Sequence, residues 1–216
     1  TLRATLRGIL FLSIPATVGM MTLGRPLVSL FFERGAFGTE STRAVTWALI
    51  FFALGRVGHA GLEIVARALY ALHDPFTPVW GGALTMGLNV VLSLSLPTVF
   101  ASVGWQRFGG LALANSVAVL LEFAVLLILV HHRTGGVCDR RMMGTVIKSS
   151  VGALAMGAVL VAWQHVLQDS GPLIRGGGGL VLGVMVYLTS ALLLRGEELK
   201  AVAELLPQRW LRWLRF

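Results

Sequence analysis

AVTWALIFFALGRVGHAGLEIVARALY, residues 44–70, decides how the rest of the chain reads. Its first half is apolar, and the whole run is long enough for a bilayer span, which needs about 20 such residues. Its second half carries Arg56, His59, Glu63 and Arg67. Steps of three, four and four residues place all four on one helical face. A charge at mid-bilayer costs about 2.5–3.5 kcal/mol on the insertion scale. A single long side chain can escape by snorkelling. Four on one stripe point instead to a polar interior cavity. The plainer alternative is an ion-pair ladder, Glu63 with Arg67 and with His59, that only holds helices together. The two are compatible, since a ladder can line a cavity. Gly55, Gly58 and Gly61 interleave with the charges and would allow a neighbouring backbone to come close.

The same reading extends to both ends. Apolar runs cover residues 8–32, 79–100, 109–130, 146–166 and, more weakly, 176–194. The first contains Pro15 and the pair Arg25-Pro26, which predict a kinked helix. Asp74-Pro75-Phe76-Thr77-Pro78 breaks the chain after the second run. The sixth run opens on four glycines. The expected fold class is therefore all-α, a polytopic transmembrane bundle of six spans. Six spans put both termini on one side. That side holds 11 of the 18 Lys and Arg residues, the other side holds 4, and Arg25, Arg56 and Arg67 lie inside runs. The bias predicts cytoplasmic N- and C-termini.

Composition agrees. Of the 216 residues 56% are hydrophobic and only 13% charged, with mean hydropathy +0.78. A soluble domain carries about 25% charge, so a soluble enzyme, a disordered tail and a disulfide scaffold are excluded. The net charge of +8 is spread between apolar runs and forms no patch of the kind nucleic acid requires. Cys138, the only cysteine, sits in a basic loop and fits a reducing face. The first run is too long for a signal peptide and lacks a small-residue cleavage site. Because the chain begins with Thr1 and not Met, a piece of a larger membrane protein is one expectation. His131, His132, Cys138 and Asp139 match no usual zinc spacing. Nucleophile elbow, P-loop and HExxH patterns are lacking, so neither an enzyme, a metal site nor a cofactor is expected.

Other polar residues stand inside spans. Asn89 is central in the third run. Asn115 and Glu122 are seven residues apart in the fourth, two turns, and so share a face. Each can simply hydrogen-bond a neighbouring helix, although Glu122 needs a cation, a proton or water. Arg25 either marks a broken helix at a cavity or snorkels outward. Gly179 and Gly183, and Ala153 and Gly157, make small-xxx-small pairs suited to close packing. In the tail, residues 196–216, Arg209, Arg212 and Arg215 lie on one side of a helix and Trp210, Trp213 and Leu214 on another. That pattern predicts a short helix in the headgroup layer, or an unstructured basic tail with aromatic anchors.

A family resemblance rests on particular residues. Ile14-Pro15-Ala16-Thr17-Val18-Gly19, Arg25-Pro26-Leu27-Val28 and Phe31-Phe32-Glu33-Arg34-Gly35-Ala36-Phe37 resemble the MurJ/MviN lipid II flippases. So do Ala66-Arg67-Ala68-Leu69-Tyr70-Ala71-Leu72-His73-Asp74, the following Thr77-Pro78, and Asn89 in the next helix. The resemblance implies a place in the multidrug/oligosaccharidyl-lipid/polysaccharide exporter superfamily, with two six-helix lobes and two extra C-terminal helices. Residues 1–133 would be four helices of the second lobe, and residues 134–195 the extra pair. The implied function is alternating-access movement of lipid-linked peptidoglycan precursor across a bacterial inner membrane. The implied partners are an undecaprenyl-diphosphate-type lipid, the bilayer and the missing N-terminal lobe. Arg56 and Arg67 would then hold diphosphate, with His59 beside them. Another exporter of the superfamily, for polysaccharide-linked lipid or drugs, and a non-transporting membrane scaffold are the alternatives.

Overall fold

The computed structural model describes residues 2–35, 37–137 and 139–194. Cys138 and the expected amphipathic tail lie outside the described residues. Six helices follow one another: α1 Leu2–Phe32, α2 Thr39–Ala71, α3 Phe76–Ser102, α4 Arg107–Arg133, α5 Arg140–Val166 and α6 Gly179–Leu193. A π-helical turn, Ile174–Gly178, leads into α6 and completes a sixth membrane-length segment, Ile174–Leu193. The all-α, six-span reading is borne out. The helices of 27–33 residues overrun their apolar runs by up to six residues at one end. At about 1.5 Å per residue they reach roughly 40–50 Å, enough to cross the ~30 Å hydrocarbon layer and both headgroup zones.

Packing is serial. α4 lies between α3 and α2, α2 packs on α1, α1 on α5, and α5 on α6. The contact of α2 with α4 is the most extensive, and glycine makes it possible. A Cβ on Gly55 would sit 3.0 Å from Ser116 Cα, and one on Gly61 would sit 2.3 Å from the Phe123 ring. Gly110 of α4 likewise meets the backbone of Leu96 and Pro97 in α3 at 2.8 Å. Two apolar clusters fill the joints. Leu6, Val65, Leu69, Phe123, Leu126 and Val130 close the end where α1 begins and α2 and α4 finish. Phe11, Leu23, Met156, Leu160 and Tyr187 bind α1 to α5 and α6. The small-residue pairs of α5 and α6 are part of that joint: Gly157 meets Val18, Gly179 meets Leu23, and Gly183 meets Leu160.

The two prolines leave α1 unbroken from Leu2 to Phe32. Pro15 lacks the N–H that would bond the Phe11 carbonyl, and Pro26 lacks the one for Thr22. Both freed carbonyls find donors on the last two spans. Tyr187 donates its hydroxyl to Phe11 O at 2.6 Å, and Gln164 Nε2 donates to Thr22 O at 2.6 Å. Of the two expectations for Arg25-Pro26, the helix is not broken there, because a side chain from α5 replaces the missing backbone donor, although Arg25 does line a cavity.

Tyr187→Phe and Gln164→Leu are expected to loosen α5 and α6 from α1. Leaving a buried carbonyl without a partner costs about 1–3 kcal/mol. Thermal unfolding in detergent checks this: each variant should melt below the parent, and Thr189→Val on the exposed side of α6 should not.

α2 ends where His73 adopts φ +60, the left-handed position that glycine usually takes after a helix. The Asp74 amide then donates to Leu69 O at 3.0 Å. Asp74 also opens α3, accepting from the Thr77 amide at 3.1 Å and from the Thr77 hydroxyl, and it pairs with Arg133 at the end of α4. The Thr77 hydroxyl and amide, followed by Arg133, lower its pKa to about 2. A lowered carboxylate pKa supplies stability above the unfolded value, and that stability fades only as the pH falls toward about 2. The clasp between α2, α3 and α4 is therefore intact at any physiological pH.

Candidate functional site

α2 has two opposed faces. Gly55, Gly58, Gly61, Val65 and Leu69 are buried. Arg56, His59, Glu63 and Arg67 are all exposed. The glycines that let α4 approach also fix which way the charges point. The single stripe read from the sequence is therefore present, and it is open over its whole length.

Its members divide into three. Arg67 pairs with Glu63 one turn away, and their side chains are 69% and 63% exposed. Arg56 makes no ion pair among the described residues. His59 turns toward α4, where its Nε2 lies 3.5 Å from Asn115 Nδ2. Asn115 Oδ1 in turn accepts from Asn89 Nδ2 of α3 at 3.2 Å, and Ser93 donates to Asn89 Oδ1 at 2.8 Å. The ladder is thus half present. Glu63 takes Arg67 as expected, but His59 joins a polar relay through three helices instead of joining Glu63. The relay gathers Asn89 and Asn115, which the sequence could place only on separate spans. Ser93 was not singled out, though its position four residues after Asn89 puts it on the same face of α3.

Glu122 does share the α3-facing side of α4 with Asn115, as the seven-residue spacing requires. It lies half-buried in a separate cleft of about 180 Å³ with Gly81, Thr85 and Leu88. Its Oε1 is 3.7 Å from where a Gly81 Cβ would stand. Arg25 lies far from the stripe. It lines a polar cavity of about 650 Å³ formed by α1, α5, the start of α2 and the turn before α6. An apolar groove of about 400 Å³ runs between α1, α5 and α6, lined by Leu12, Met20, Leu23, Leu160 and Val184.

At the end where α1 begins, Asp139 caps α5 by accepting from the Met142 amide at 2.7 Å. That bond holds its carboxyl below the ordinary value against the opposing effect of burial, with further help from the charges of Arg3, Arg7 and Arg141. No local pattern of residues indicates that the first turns of α1 and the start of α5 meet here.

What the stripe offers chemically is two guanidiniums on an open helical face, with one carboxylate and one imidazole between them. Guanidinium suits phosphate because its planar fork matches two oxygens at once.

Comparison with known proteins bears on the same helices. The family described as "Lipid II flippase MurJ" matches residues 1–172. A protein of Vibrio cholerae named "Probable lipid II flippase MurJ" is 30% identical over 211 residues, covering 92% of this chain and 38% of the relative. The "Lipid II flippase MurJ" of Thermosipho africanus is 26% identical over 87% of this chain and 36% of its own length. A solved structure described as "Lipid II flippase MurJ, inward closed conformation" superimposes with a TM-score of 0.73. It has 24% identity and covers 90% of this chain and 38% of that one, which shows a shared fold. The chain spans less than two-fifths of the length of these relatives. By the match over its first 172 residues, four-fifths of its length, the chain belongs to the MurJ lipid II flippase family.

Proposed function

We propose that this chain is the C-terminal part of an inner-membrane flippase that moves a lipid-linked peptidoglycan precursor by alternating access. The observation that carries the reading is the two-faced α2. Its glycine face is closed by α4, while Arg56, His59, Glu63 and Arg67 stay open to a partner that these six helices do not supply. Ionisable residues on a span are tolerated where they face a bundle interior or water. A missing N-terminal lobe would make that interior, and two lobes rocking about a midplane site give access to each side in turn. In this reading Arg56 and Arg67 hold the diphosphate, with His59 and Glu63 beside them. The Asn89–Asn115 relay fixes the spacing of α2, α3 and α4 behind the site. Residues 1–133 belong to the second lobe. Residues 134–195 form an extra pair, whose apolar groove with α1 suits a polyprenyl chain.

The test is complementation. The full-length protein bearing this segment should restore growth and lipid flipping in bacteria depleted of their own lipid II flippase. Membrane insertion without rescue would reject the assignment of cargo.

The topology carries its own expectation, that both termini are cytoplasmic, from the count of 11 against 4 basic residues. Cysteines placed at Thr39 and Ser170 should react with an impermeant reagent added outside intact cells, and one placed at Thr134 should not. The opposite pattern would invert the bundle.

A further inference from the structure

The 650 Å³ cavity lies at the end of the bundle where α1 finishes and α2 begins, away from the α2 stripe. Its volume falls within the ~300–1,000 Å³ typical of small-ligand sites. Thr22, Arg25 and Ser29, spaced three and four residues apart on one face of α1, line it together with Glu33 just past the end of that helix. The opposite wall brings Gln164 and His165 from α5, and Arg175 from the turn before α6.

Charge and geometry in this cavity favour an anion. Arg25 and Arg175 make no ion pair among the described residues. The one carboxylate of the lining, Glu33, accepts instead from the Thr42 hydroxyl at 3.3 Å. Arg175 donates through Nε to Leu167 O at 2.7 Å. That bond fixes the guanidinium plane and leaves its two terminal nitrogens for another acceptor. Gln164 is held by the Thr22 carbonyl that Pro26 frees, so the wall is braced. Arg25 stands seven residues before the end of α1, about 10 Å along the axis. An unpaired guanidinium at that depth requires water or an anion. The bilayer supplies phosphodiesters at just this boundary.

We propose that this cavity is a phosphate-binding site in which Arg25 and Arg175 grip one oxyanion, either the headgroup of an anionic phospholipid or free phosphate. It is independent of the flippase reading, because the ligand need not be the transported lipid. Bound there, a headgroup would tie α5 and the turn before α6 to α1 and α2.

The test measures phosphatidylglycerol bound to the purified protein in neutral detergent by native mass spectrometry. Losing one charge-assisted partner should weaken binding about tenfold or more, so Arg25→Gln and Arg175→Gln should each do so. Arg107→Gln, at the start of α4 and outside the cavity, should bind like the parent, and phosphatidylcholine should bind weakly to all. Ser29→Trp, which fills the cavity without changing its charge, should also remove binding and serves if the glutamine variants fail to fold. Inorganic phosphate that competes the lipid away identifies a site open to the free oxyanion. Failure to compete identifies the lipid, with its acyl chains, as the ligand. Parent-like phosphatidylglycerol binding by Arg25→Gln and Arg175→Gln, or by Ser29→Trp, would overturn the proposal.

Discussion

In the full-length transporter, Arg56→Ala and Arg67→Ala should reach the membrane in near-normal amounts and lose lipid flipping by about tenfold to a hundredfold, the range expected for one charge-assisted contact. Lysine at either place should recover only part of the activity, since it lacks the planar fork. The open geometry of the stripe separates this outcome from a structural ladder. Arg67 and Glu63 form a pair exposed on both sides, and in a water-filled cavity such a pair is worth about 0–1 kcal/mol. Its loss should therefore hardly affect folding. In a ladder, Arg67→Ala would instead strand Glu63 and deplete the protein, and Glu63→Gln would partly restore it. Protein level and flipping measured side by side distinguish the two. Flipping that falls only in proportion to protein would favour the ladder, and normal flipping would remove that arginine from the site.

The second large effect is structural. Gly61→Ala would put a Cβ 2.3 Å from the Phe123 ring, and Phe123 is buried among Val65, Leu69 and Leu126 with little room to turn. Overpacking of this kind costs about 1–3 kcal/mol. It would also push α4 away from the helix that presents the charges. The melting temperature in detergent should fall clearly for Gly61→Ala, and combining it with Phe123→Leu should restore most of the loss. Gly87→Ala is the contrast, because nothing lies within 4 Å of its Cβ position on α3. It should be neutral or slightly stabilising, since alanine suits a helix better than glycine by roughly 0.5–1 kcal/mol. A Gly61→Ala variant as stable as Gly87→Ala would mean that α2 and α4 do not meet as described.

The spans and the charged face of α2 were legible because both depend on local periodicity. Hydrophobic runs mark where lipid can sit, and 3.6-residue spacing fixes which side chains share a side. The glycines beside the stripe carried a second message, since a face of small residues is a face built for a neighbour. What the sequence could not give was pairing between elements. His59 is as well spaced for Glu63 as for any partner, and only the position of α4 turns it to Asn115. The donors that satisfy the carbonyls freed by the two prolines of α1, Tyr187 and Gln164, stand 176 and 142 residues away from them, beyond any local pattern. The same distance hid the walls that α5 and the turn before α6 add to the cavity at Arg25. A proline inside a span frees a carbonyl, and a lone Tyr or Gln on another span is a candidate donor.

Under the proposed function, the charged face of α2 lines an aqueous cavity that holds the lipid diphosphate. Ala60 lies on that face between His59 and Glu63, and its side chain is small enough to replace without touching the arginines. In the full-length protein with Cys138→Ser, Ala60→Cys should react readily with a membrane-impermeant thiol reagent in opened membrane vesicles. Saturating lipid-linked diphosphate should slow that reaction by about tenfold or more, as a bound ligand with Kd well below its concentration requires. A cysteine at position 60 that does not react, or that reacts equally with and without the lipid, would contradict the account.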